Sequence, residues 1–376
     1  MSRAGAVPRV RGRSDGRGRG AGSRPRHRAR ESRRVRACTD RFLPLGRLVG
    51  APGRRRITGL RFPVDPANPS YPRHSHEAFI RAAEAYGRGI LRLGPDDVTV
   101  AAPKLHFGYA MGTNLLFPLS VGASVVLFEE RATAAVLASR MRRHQATVLV
   151  TTPAMVRQMT GGDPGFKNAL ATLRVATSAG EALPSTLHQR WRERIGVELV
   201  DGLGMTEMGH IVVSNQIGEA EPRSLGQPVP GYDVRLCDAD GQDVPDGEPG
   251  ELWVRGPSRA LGYWQRPEDE ARVFRGGWCV PGDMLRRHEA GRYEFCGRTD
   301  DMLKVNGQWV APRAVEECLL QHPQVRDVAV MSVKDDDGLV REHLAPYAHP
   351  RGVTYVDSLP RTPQGTRDRA ALVRLA

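Results

Sequence analysis

Two hydrophobic patterns alternate between residues 76 and 207 of this 376-residue chain. Apolar residues at helical spacing predict helices at 76–93, 109–122, 133–145, 153–160 and 184–196. Short runs rich in β-branched residues predict strands at 97–103, 123–129, 147–153, 173–180 and 197–207, the last running into a loop. The strands are apolar almost without a break, as in parallel sheets that helices cover on both faces. We therefore expect an α/β fold with a parallel-sheet large domain over 57–297.

The pattern changes from about residue 224. Short β segments then alternate with Asp-Gly and Pro-Gly turns, which predicts a small antiparallel β subdomain over about 224–297. A helix is predicted next at 311–323, and a strand follows it at 326–334. We therefore expect residues 298–376 to form a separate small α+β C-terminal domain.

The first 56 residues carry the charge imbalance of the chain. They hold 18 arginines and three acidic residues, a net charge of +15, whereas the remaining residues carry a net charge of −2. They have almost no large apolar side chains, so we expect a disordered arginine-rich leader. Three interpretations stay open: a nucleic-acid-binding arm, a transit peptide, or an extension without function, such as one translated in a wrong frame. No aromatic residue lies among the arginines, which argues against single-strand nucleic-acid binding.

Cysteine and lysine usage narrows the possible chemistry. Five scattered cysteines without a C-x-x-C pair exclude a zinc ribbon and a dense disulfide framework, and they are typical of a protein of the reducing cytoplasm. No apolar run reaches the roughly 18 residues that a membrane helix needs. Any reaction that requires a lysine amine must use one of the only four lysines: Lys104, Lys167, Lys304 and Lys334.

Three loops carry residue types suited to ligand binding, and ligands of parallel sheets sit in such loops at the carboxyl ends of strands. The first, at 177–184, is a glycine-containing turn between a strand and a helix. In the second, Thr206 offers a hydroxyl and Glu207 a carboxylate for a hard cation such as Mg²⁺. In the third, Asp283 suits a vicinal diol such as ribose, and Arg298 suits ribose or phosphate. Taken singly, each has a structural alternative: a turn, a helix N-cap or a surface charge.

The order and spacing of these loops resemble those of the adenylate-forming (AMP-binding) superfamily. The motifs that carry the resemblance, which extends over about 76–376, are "GLGMTE", "GWCVPGDM" and "GRTDDMLKVNGQWVAPRAVE". Within the superfamily, "KLHFGYAMGTNLLFPLSVGAS", "SAGEALP" and "GMTEMGHI" are most similar to benzoate- and aryl-CoA ligases. The resemblance implies that a carboxylate attacks the α-phosphate of Mg·ATP to give an acyl-adenylate and pyrophosphate. The thiol of coenzyme A then displaces AMP to give a thioester.

The resemblance also implies a role for each matching residue. Thr206 would contact the phosphate and Glu207 would hold Mg²⁺. Nucleotide binding would fall to Ser178, Ala179, Gly180, Glu181, Asp283 and Arg298. Asp300 would be the hinge between the domains, and Lys304 and Gly307 would lie on the loop that faces the site during thioester formation. The acyl pocket would contain His106, Tyr109, His210 and Ile211, although both histidines also have the alternative of hydrogen-bonded interior residues.

Three departures from the family pattern affect the expected activity. Residues 57–73 stand where the family has a glycine-rich phosphate loop with a lysine, and they contain neither feature. The early part of the large domain is not recognisable either, so we expect a partial domain with exposed apolar strand edges. In "PRTPQGTRDR" (360–369), Thr366 stands at the position of the family lysine. The small domain is also shortened near residue 340, where a strand pair of the family is missing.

The sequence therefore predicts an ATP-dependent acid–CoA ligase homologue of the benzoate or aryl type in which adenylation is impaired. Its ligands would be ATP or AMP, Mg²⁺, coenzyme A and an aromatic or other carboxylic acid, with no membrane partner. The alternative is a non-catalytic remnant that binds a nucleotide or an acyl group. A third class, nucleic-acid binding through the leader, would show a steep salt dependence.

Overall fold

The computed structural model describes residues 34–35, 57–59, 72–161, 170–288, 290–305, 308–310, 312–320, 322, 325, 327–330, 354, 356, 358–360 and 371–372. Most of the predicted leader and the site candidates Gly307 and Thr366 lie outside the described residues. Of the leader, only Arg34–Val35 is described, as a short strand.

The larger sheet of the described residues contains eight strands: β1 Arg34–Val35, β4 Val98–Ala101, β5 Ser124–Val126, β6 Val148–Thr151, β7 Val175–Ser178, β8 Leu199–Gly204, β9 Ile211–Ser214 and β10 Gln227–Pro228. Their order in the sheet is β1-β5-β4-β6-β7-β8-β9-β10. Strands β4 to β8 form its parallel centre, and β1, β9 and β10 are antiparallel to their neighbours. A separate two-stranded sheet pairs β2 Ile57–Gly59 with β3 Arg73–Ser75.

Helices cover both faces of this sheet, as the apolar strands predict. Alternate strand residues enter two different cores: Val148 and Val175 belong to one, and Leu149 and Ala176 to the other. The helices before the β-rich region are α1 His76–Ala82, α2 Gly108–Met111, α3 Phe117–Ser120, α4 Ala134–His144, α5 Pro153–Gly161 and α6 Ser185–Arg194. The side chains of Ser75 and Thr133 cap α1 and α4. Each accepts a hydrogen bond from the backbone amide of the third residue of its helix, Ala78 and Val136 respectively.

Two of the predicted helices contain π-helical turns that periodicity did not predict. Ala83–Ile90 continues α1 in this form, and Gly112–Leu116 links α2 to α3. Each π-helical segment packs closely against a neighbouring ring where its glycine leaves room. A Cβ on Gly87 would lie 2.9 Å from Cβ of Phe117, and a Cβ on Gly112 would lie 2.5 Å from Cδ2 of His210. The wider turns therefore accompany an unusually close approach of helix to helix and of helix to loop.

A buried ion pair ties the amino-terminal end of the sheet to the end of the first helical segment. Asp97, 7% exposed, accepts hydrogen bonds from Nε and Nη2 of Arg174, both at 2.8 Å, and from the Thr147 hydroxyl at 2.6 Å. Arg174 Nη2 also donates to the carbonyl oxygen of Leu91 at 2.9 Å. Burial raises the pKa of Asp97, but the hydrogen bonds from Arg174, Thr147 and Gly94 outweigh burial and lower the pKa below its ordinary value.

The second sheet is antiparallel and lies in the region where turn clusters predicted it. Its strands are β11 Asp233–Cys237, β12 Pro249–Arg255, β13 Phe274–Arg275, β14 Trp278–Cys279, β15 Asp283–Arg287 and β16 Tyr293–Arg298, and α7 Pro267–Val273 precedes β13. Beyond it, β17 Leu303–Val305 pairs antiparallel with β18 Gln308–Val310, and α8 Pro312–Leu320 follows. The α/β fold class with a parallel and an antiparallel sheet is confirmed, whereas the domain boundaries stay a prediction.

Other expectations are settled only for the described residues. Exposed apolar strand edges were expected; among the residues described, β1 pairs with the outer edge of β5, and Trp264 and Val356 are the only large hydrophobic side chains exposed. The described cysteines, Cys237, Cys279, Cys296 and Cys318, form no disulfide. None of the helices in the described ranges has both the length and the apolar character needed to cross a membrane.

Candidate functional site

The first candidate loop leaves the carboxyl end of β7. Ser178 ends this strand, fully buried, and its hydroxyl has no hydrogen-bond partner among the described residues. Ala179 is also buried, and the chain then turns at Gly180 with a φ of +92°, a conformation that favours glycine. Glu181 follows, half-buried. These predicted nucleotide-binding residues therefore line one continuous turn at the edge of the parallel sheet.

The second loop leaves the neighbouring strand β8 and carries Thr206 and Glu207 in a short 3₁₀ turn. The hydroxyl of Tyr263 donates to Oε1 of Glu207 at 2.6 Å. Within the described part of the chain, Oε2 of Glu207 has no hydrogen-bond partner. Burial and the Glu207 charge raise the pKa of Tyr263, which keeps its hydroxyl protonated and able to donate.

The third loop brings an aspartate and an arginine beside Glu207. Asp283 opens β15 and is 6% exposed, and Nη1 of Arg298 lies 3.2 Å from its Oδ1. Arg298 is half exposed and also donates to the carbonyl oxygen of Pro281 at 2.9 Å. Burial raises the pKa of Asp283 to about 6; Arg298 lowers it and the charge of Glu207 raises it. We call Glu207, Asp283 and Arg298 the carboxylate cluster.

The carboxylate cluster has a donor set that suits a magnesium ion held mainly by substrate. In the described ranges, no group of three or more His, Cys, Asp or Glu side chains is placed to hold a metal. Mg²⁺ is usually bound through one or two carboxylates together with phosphate oxygens of a substrate. Glu207 is half-buried with one oxygen uncommitted, so it fits such an ion once a polyphosphate supplies the remaining ligands.

A group of packed rings lies beside the same strands. His210 is 3% exposed, and its ring centroid lies 4.9 Å from Tyr86, 5.8 Å from Tyr109 and 4.5 Å from Phe117. The hydroxyls of Tyr86 and Tyr109 lie 2.7 and 3.2 Å from the hydroxyl oxygen of Thr177 on β7. We call Tyr86, Tyr109, Phe117 and His210 the aromatic cluster. It places apolar surface next to the nucleotide-binding turn.

Burial makes His210 a neutral side chain. Its Nε2 lies 3.2 Å from the carbonyl oxygen of Tyr109, and its Nδ1 has no hydrogen-bond partner in the described structure. Burial lowers the pKa of His210 to about 3, and the contact with the Tyr109 carbonyl raises it only in part. A neutral imidazole donates from one nitrogen, so Nε2 carries the hydrogen. This geometry matches the interior histidine that was the alternative to a pocket role.

The structure unites most of the predicted site residues but not all of them. Ile211 opens β9 directly after His210 and is buried against Gly202. His106 is exposed, with its ring against Phe107 at 4.3 Å, and is not part of the aromatic cluster. Asp300 is exposed in a 3₁₀ turn directly after β16. Lys304 lies in β17 opposite Trp309, and Gly307 and Thr366 are outside the described residues.

Sequence reasoning missed two residues that contact the Thr206–Glu207 loop. Tyr263 lies 56 positions from Glu207, in a segment without any catalytic pattern. His74 belongs to the run "HSH" and its ring lies against the backbone of Thr206 and Ser258. The spacing of the sequence did not indicate that Tyr263 belongs to the site. For His74, the one indication was its position just after the segment where a phosphate loop was expected.

Curated proteins similar to this chain are ligases that act on aromatic acids. Benzoate–CoA ligase of Thauera aromatica is 40% identical over 326 residues, a match that covers 80% of this chain and 62% of the relative. The 4-hydroxybenzoate–CoA/benzoate–CoA ligase of Rhodopseudomonas palustris is 37% identical, and the match covers 80% of this chain and 60% of the relative. The chain thus spans about three fifths of the length of these relatives.

Solved structures agree with the sequence relatives. The anthranilate CoA ligase AuaEII in complex with anthranoyl-AMP superposes with a TM-score of 0.79 at 35% identity, over 85% of this chain and 67% of that one. A benzoate CoA ligase from Burkholderia xenovorans superposes with a TM-score of 0.77 at 37% identity, over 86% and 70%. Both likenesses extend through the parallel and antiparallel sheets described above.

The family model for AMP-binding enzymes matches residues 73–264, about half of the chain. This stretch contains the turn after β7, the loop with Thr206 and Glu207, and Tyr263. The resemblance inferred from the motifs is therefore confirmed, and the chain belongs to the AMP-binding enzyme family.

Proposed function

We propose that this chain is an acid–thiol ligase of the aryl-CoA type, which binds an aryl-adenylate and transfers its acyl group to coenzyme A. The observation that carries the proposal is the carboxylate cluster. Glu207 and Asp283 are far apart in sequence, yet they lie close enough for the charge of one to raise the pKa of the other, at the edge of a parallel sheet beside Arg298. The relatives named above, all ligases of aromatic acids, support the same class of reaction.

In the proposed first step, a carboxylate oxygen attacks the α-phosphorus of ATP and the bond to pyrophosphate breaks, which leaves an acyl-adenylate. Asp283 accepts hydrogen bonds from the ribose hydroxyls, and Arg298 holds Asp283 and donates to the nucleotide. Ser178, Ala179, Gly180 and Glu181 border the adenine. When bound, Mg²⁺ neutralises phosphate charge; Glu207 is the side chain that would hold it, and Thr206 offers its hydroxyl to the phosphate.

We assign the aryl group to the side of the site that faces the aromatic cluster. Tyr109, His210 and Ile211 supply aromatic and apolar surface with few polar groups, which suits a flat apolar acid. His106, exposed two residues before α2, is assigned to the mouth of the pocket. Because His210 is neutral, it adds no charge that would attract the carboxylate to the apolar end.

The proposed second step is thioester formation. The sulfur of coenzyme A attacks the acyl carbon, the thiol loses its proton, and AMP leaves. Lys304 and Gly307 are assigned to the loop that faces the site in this step, with Asp300 as the hinge between the domains 57–297 and 298–376. A hinge suits an exposed position directly after a strand, where backbone rotation disturbs little packing.

We further propose that adenylation is the weak step. Thr366 stands at the position of the family lysine, and a hydroxyl brings no positive charge to the transition state at the α-phosphate. Thioester formation starts from a preformed adenylate and does not depend on that charge. A cytoplasmic location stays a prediction from cysteine usage, and nucleic-acid binding by residues 1–56 stays an alternative that a deletion would test.

The experiment compares the two half-reactions in the full chain. With benzoyl-AMP and coenzyme A, we expect benzoyl-CoA to form; with benzoate, ATP and coenzyme A, we expect far less product. Thr366→Lys restores a positive charge at the position of the family lysine and should therefore raise pyrophosphate release. Thr366→Ser brings no charge and should not raise it. Robust pyrophosphate release by the unmodified chain would contradict impaired adenylation.

Thr366 also favours a second candidate, a non-catalytic protein that retains only affinity for AMP or an acyl-adenylate. The same experiment separates the two. Binding of benzoyl-AMP by calorimetry without any thioester formation would favour the non-catalytic protein. Absence of both binding and thioester formation would contradict both candidates.

A further inference from the structure

His74 is a fully buried polar side chain that the proposed reaction does not use. It lies in β3, and its ring packs against Phe79 at a centroid distance of 5.6 Å. On its other side is the loop that carries Thr206 and Glu207. Gly209 closes this loop with a φ of +71°, and a Cβ at that position would lie 3.3 Å from Cε1 of His74. The ring and the loop are therefore in direct contact.

Three consecutive carbonyl oxygens of the loop each accept a hydrogen bond from outside it. The carbonyl of Thr206 lies 2.7 Å from Nε2 of His74, that of Glu207 accepts from the amide of Ala260 at 2.7 Å, and that of Met208 accepts from the hydroxyl of Ser258 at 2.6 Å. A loop of four residues is thereby held at every peptide from Thr206 to Met208. Of these three donors, only His74 comes from a segment other than 258–260.

The same histidine also contacts the segment that supplies the other two donors. Its Nδ1 lies 3.2 Å from the carbonyl oxygen of Ser258. Both ring nitrogens thus face carbonyl oxygens, and a neutral imidazole has only one N–H to donate. The shorter contact identifies Nε2 as the donor, so the hydrogen bond to Thr206 is the stronger of the two. Ser258 donates to Met208, so its oxygen accepts from Tyr232 at 2.6 Å.

We propose that His74 is a positioning residue: through its Nε2 hydrogen bond to the Thr206 carbonyl, it fixes the loop so that the Glu207 carboxylate faces a bound metal–nucleotide. The Glu207 side chain is held at one oxygen by Tyr263, and its backbone is held on both sides by His74 and Ser258. Residues that orient a metal-binding group act through such second contacts, and their loss typically weakens metal affinity about 10- to 100-fold. The inference rests on the proposed role of Glu207.

The side-chain chemistry offers a matched set of variants. Glutamine places an amide nitrogen the same number of bonds from the backbone as Nε2, so His74→Gln can keep the donor to Thr206. Asparagine mimics Nδ1 instead, so His74→Asn loses that donor, and His74→Leu removes both. His188 in α6 is the control: it is 5% exposed, and its Nε2 lies 3.2 Å from one backbone carbonyl oxygen, that of Leu199.

The first measurement is the ratio of ATP dissociation constants without and with Mg²⁺, taken by calorimetry on the full chain. We expect His74→Leu and His74→Asn to reduce this ratio about tenfold, whereas His74→Gln and His188→Leu keep most of it. Equal ratios in all variants, or an equal loss in His74→Gln and His74→Asn, would overturn the proposal. The comparison of His74→Gln with His74→Asn stays informative if His74→Leu fails to fold.

A second measurement separates this inference from the proposed function. Amide hydrogen exchange of residues 205–209 should be faster in His74→Asn than in His74→Gln or His188→Leu, because only the first loses the anchor at Thr206. Unchanged exchange would overturn the positioning role even if nucleotide binds as expected. If the unmodified chain shows no effect of Mg²⁺ on ATP affinity, the role of Glu207 fails, and the inference fails with it; the exchange result then reports only a structural anchor.

Discussion

The aromatic cluster packs beside the parallel sheet, and the carboxylate cluster joins the loop after β8 to the antiparallel sheet, yet burial acts on the two clusters in opposite ways. In the aromatic cluster, burial removes a positive charge, since the pKa of His210 falls to about 3. In the carboxylate cluster, burial disfavours a negative charge, since the pKa of Asp283 rises to about 6. In the aromatic cluster, neighbouring rings pack around His210. In the carboxylate cluster, the half-exposed guanidinium of Arg298 lies against the buried carboxylate of Asp283.

The difference shows how two neighbouring regions can serve two ends of an amphipathic ligand. A region closed by packed rings excludes water and offers an apolar boundary to a group that lies beside it. A region with two neighbouring carboxylates is poorly satisfied by its own residues and gains from a cation or from sugar hydroxyls. Stability should therefore reside in the aromatic cluster and ligand-dependent stabilisation in the carboxylate cluster.

The largest expected effect comes from removing a ring of the aromatic cluster. Phe117 is 1% exposed and packs on His210. Phe117→Ala should lower the free energy of unfolding by about 3–5 kcal/mol, because it loses apolar burial and leaves a cavity. Trp264→Ala is the control for an aromatic deletion: Trp264 is 57% exposed, so its loss should change stability by less than about 0.5 kcal/mol. Urea denaturation measures both free energies of unfolding. Similar losses in the two variants would contradict the assignment of stability to the aromatic cluster.

An intermediate effect is expected from the pH response of the aromatic cluster. The pKa of His210 in the folded chain, about 3, lies below its ordinary 6.5, so the unfolded chain binds this proton more readily. Stability should fall as pH drops below 6.5, by about 3 kcal/mol on reaching pH 4. His210→Leu should remove that part of the pH dependence. Parallel stability curves for the variant and the unmodified chain between pH 6.5 and 4 would contradict the assignment.

The smallest of the three effects has the opposite sign. The folded pKa of Asp283, about 6, lies above its ordinary 3.8, so the folded chain binds this proton more readily and stability falls as pH rises from 3.8 to 6. Asp283→Asn should therefore raise the free energy of unfolding at pH 8 by at most about 3 kcal/mol, with the gain nearly vanishing near pH 4. The same variant should bind AMP more weakly. A variant less stable than the unmodified chain at pH 8 would show that Arg298 outweighs burial.

The sequence predicted the elements of the parallel sheet well because each strand is buried on both faces. Strands such as β6 and β7 are buried at every position, and their short runs rich in β-branched residues contrast with the amphipathic helices beside them. The motifs also placed Glu207, Asp283 and Arg298 in loops that the fold brings together. Glu207 follows a strand of the parallel sheet, whereas Asp283 and Arg298 belong to antiparallel strands. The resemblance of their motifs to those of the family, not sheet geometry, therefore carried that information.

What the sequence could not give are contacts between segments that no periodicity links. The pairing of Tyr263 with Glu207 depends on how the chain after β12 returns across β3. The exposure of His106, whose ring lies against Phe107, could not be foreseen from its motif, and its place in the acyl pocket stays a prediction. The π-helical turns were missed for a related reason: they arise where Gly87 and Gly112 let neighbouring segments approach, which is a property of tertiary packing.

The ion pair between Asp97 and Arg174 lies at the amino-terminal end of the strands, opposite the loops of the site. It joins the start of β4, the start of β6 through Thr147, and the end of the helical segment through Leu91. One end of the sheet is thus tied by an ion pair, whereas the loop at the other end that carries Glu207 is held by neutral hydrogen-bond donors such as His74 and Ser258. Thermal fluctuations should therefore be graded along the strands, smallest at the ion-paired end, so that ligands meet the less constrained end of an otherwise stiff sheet.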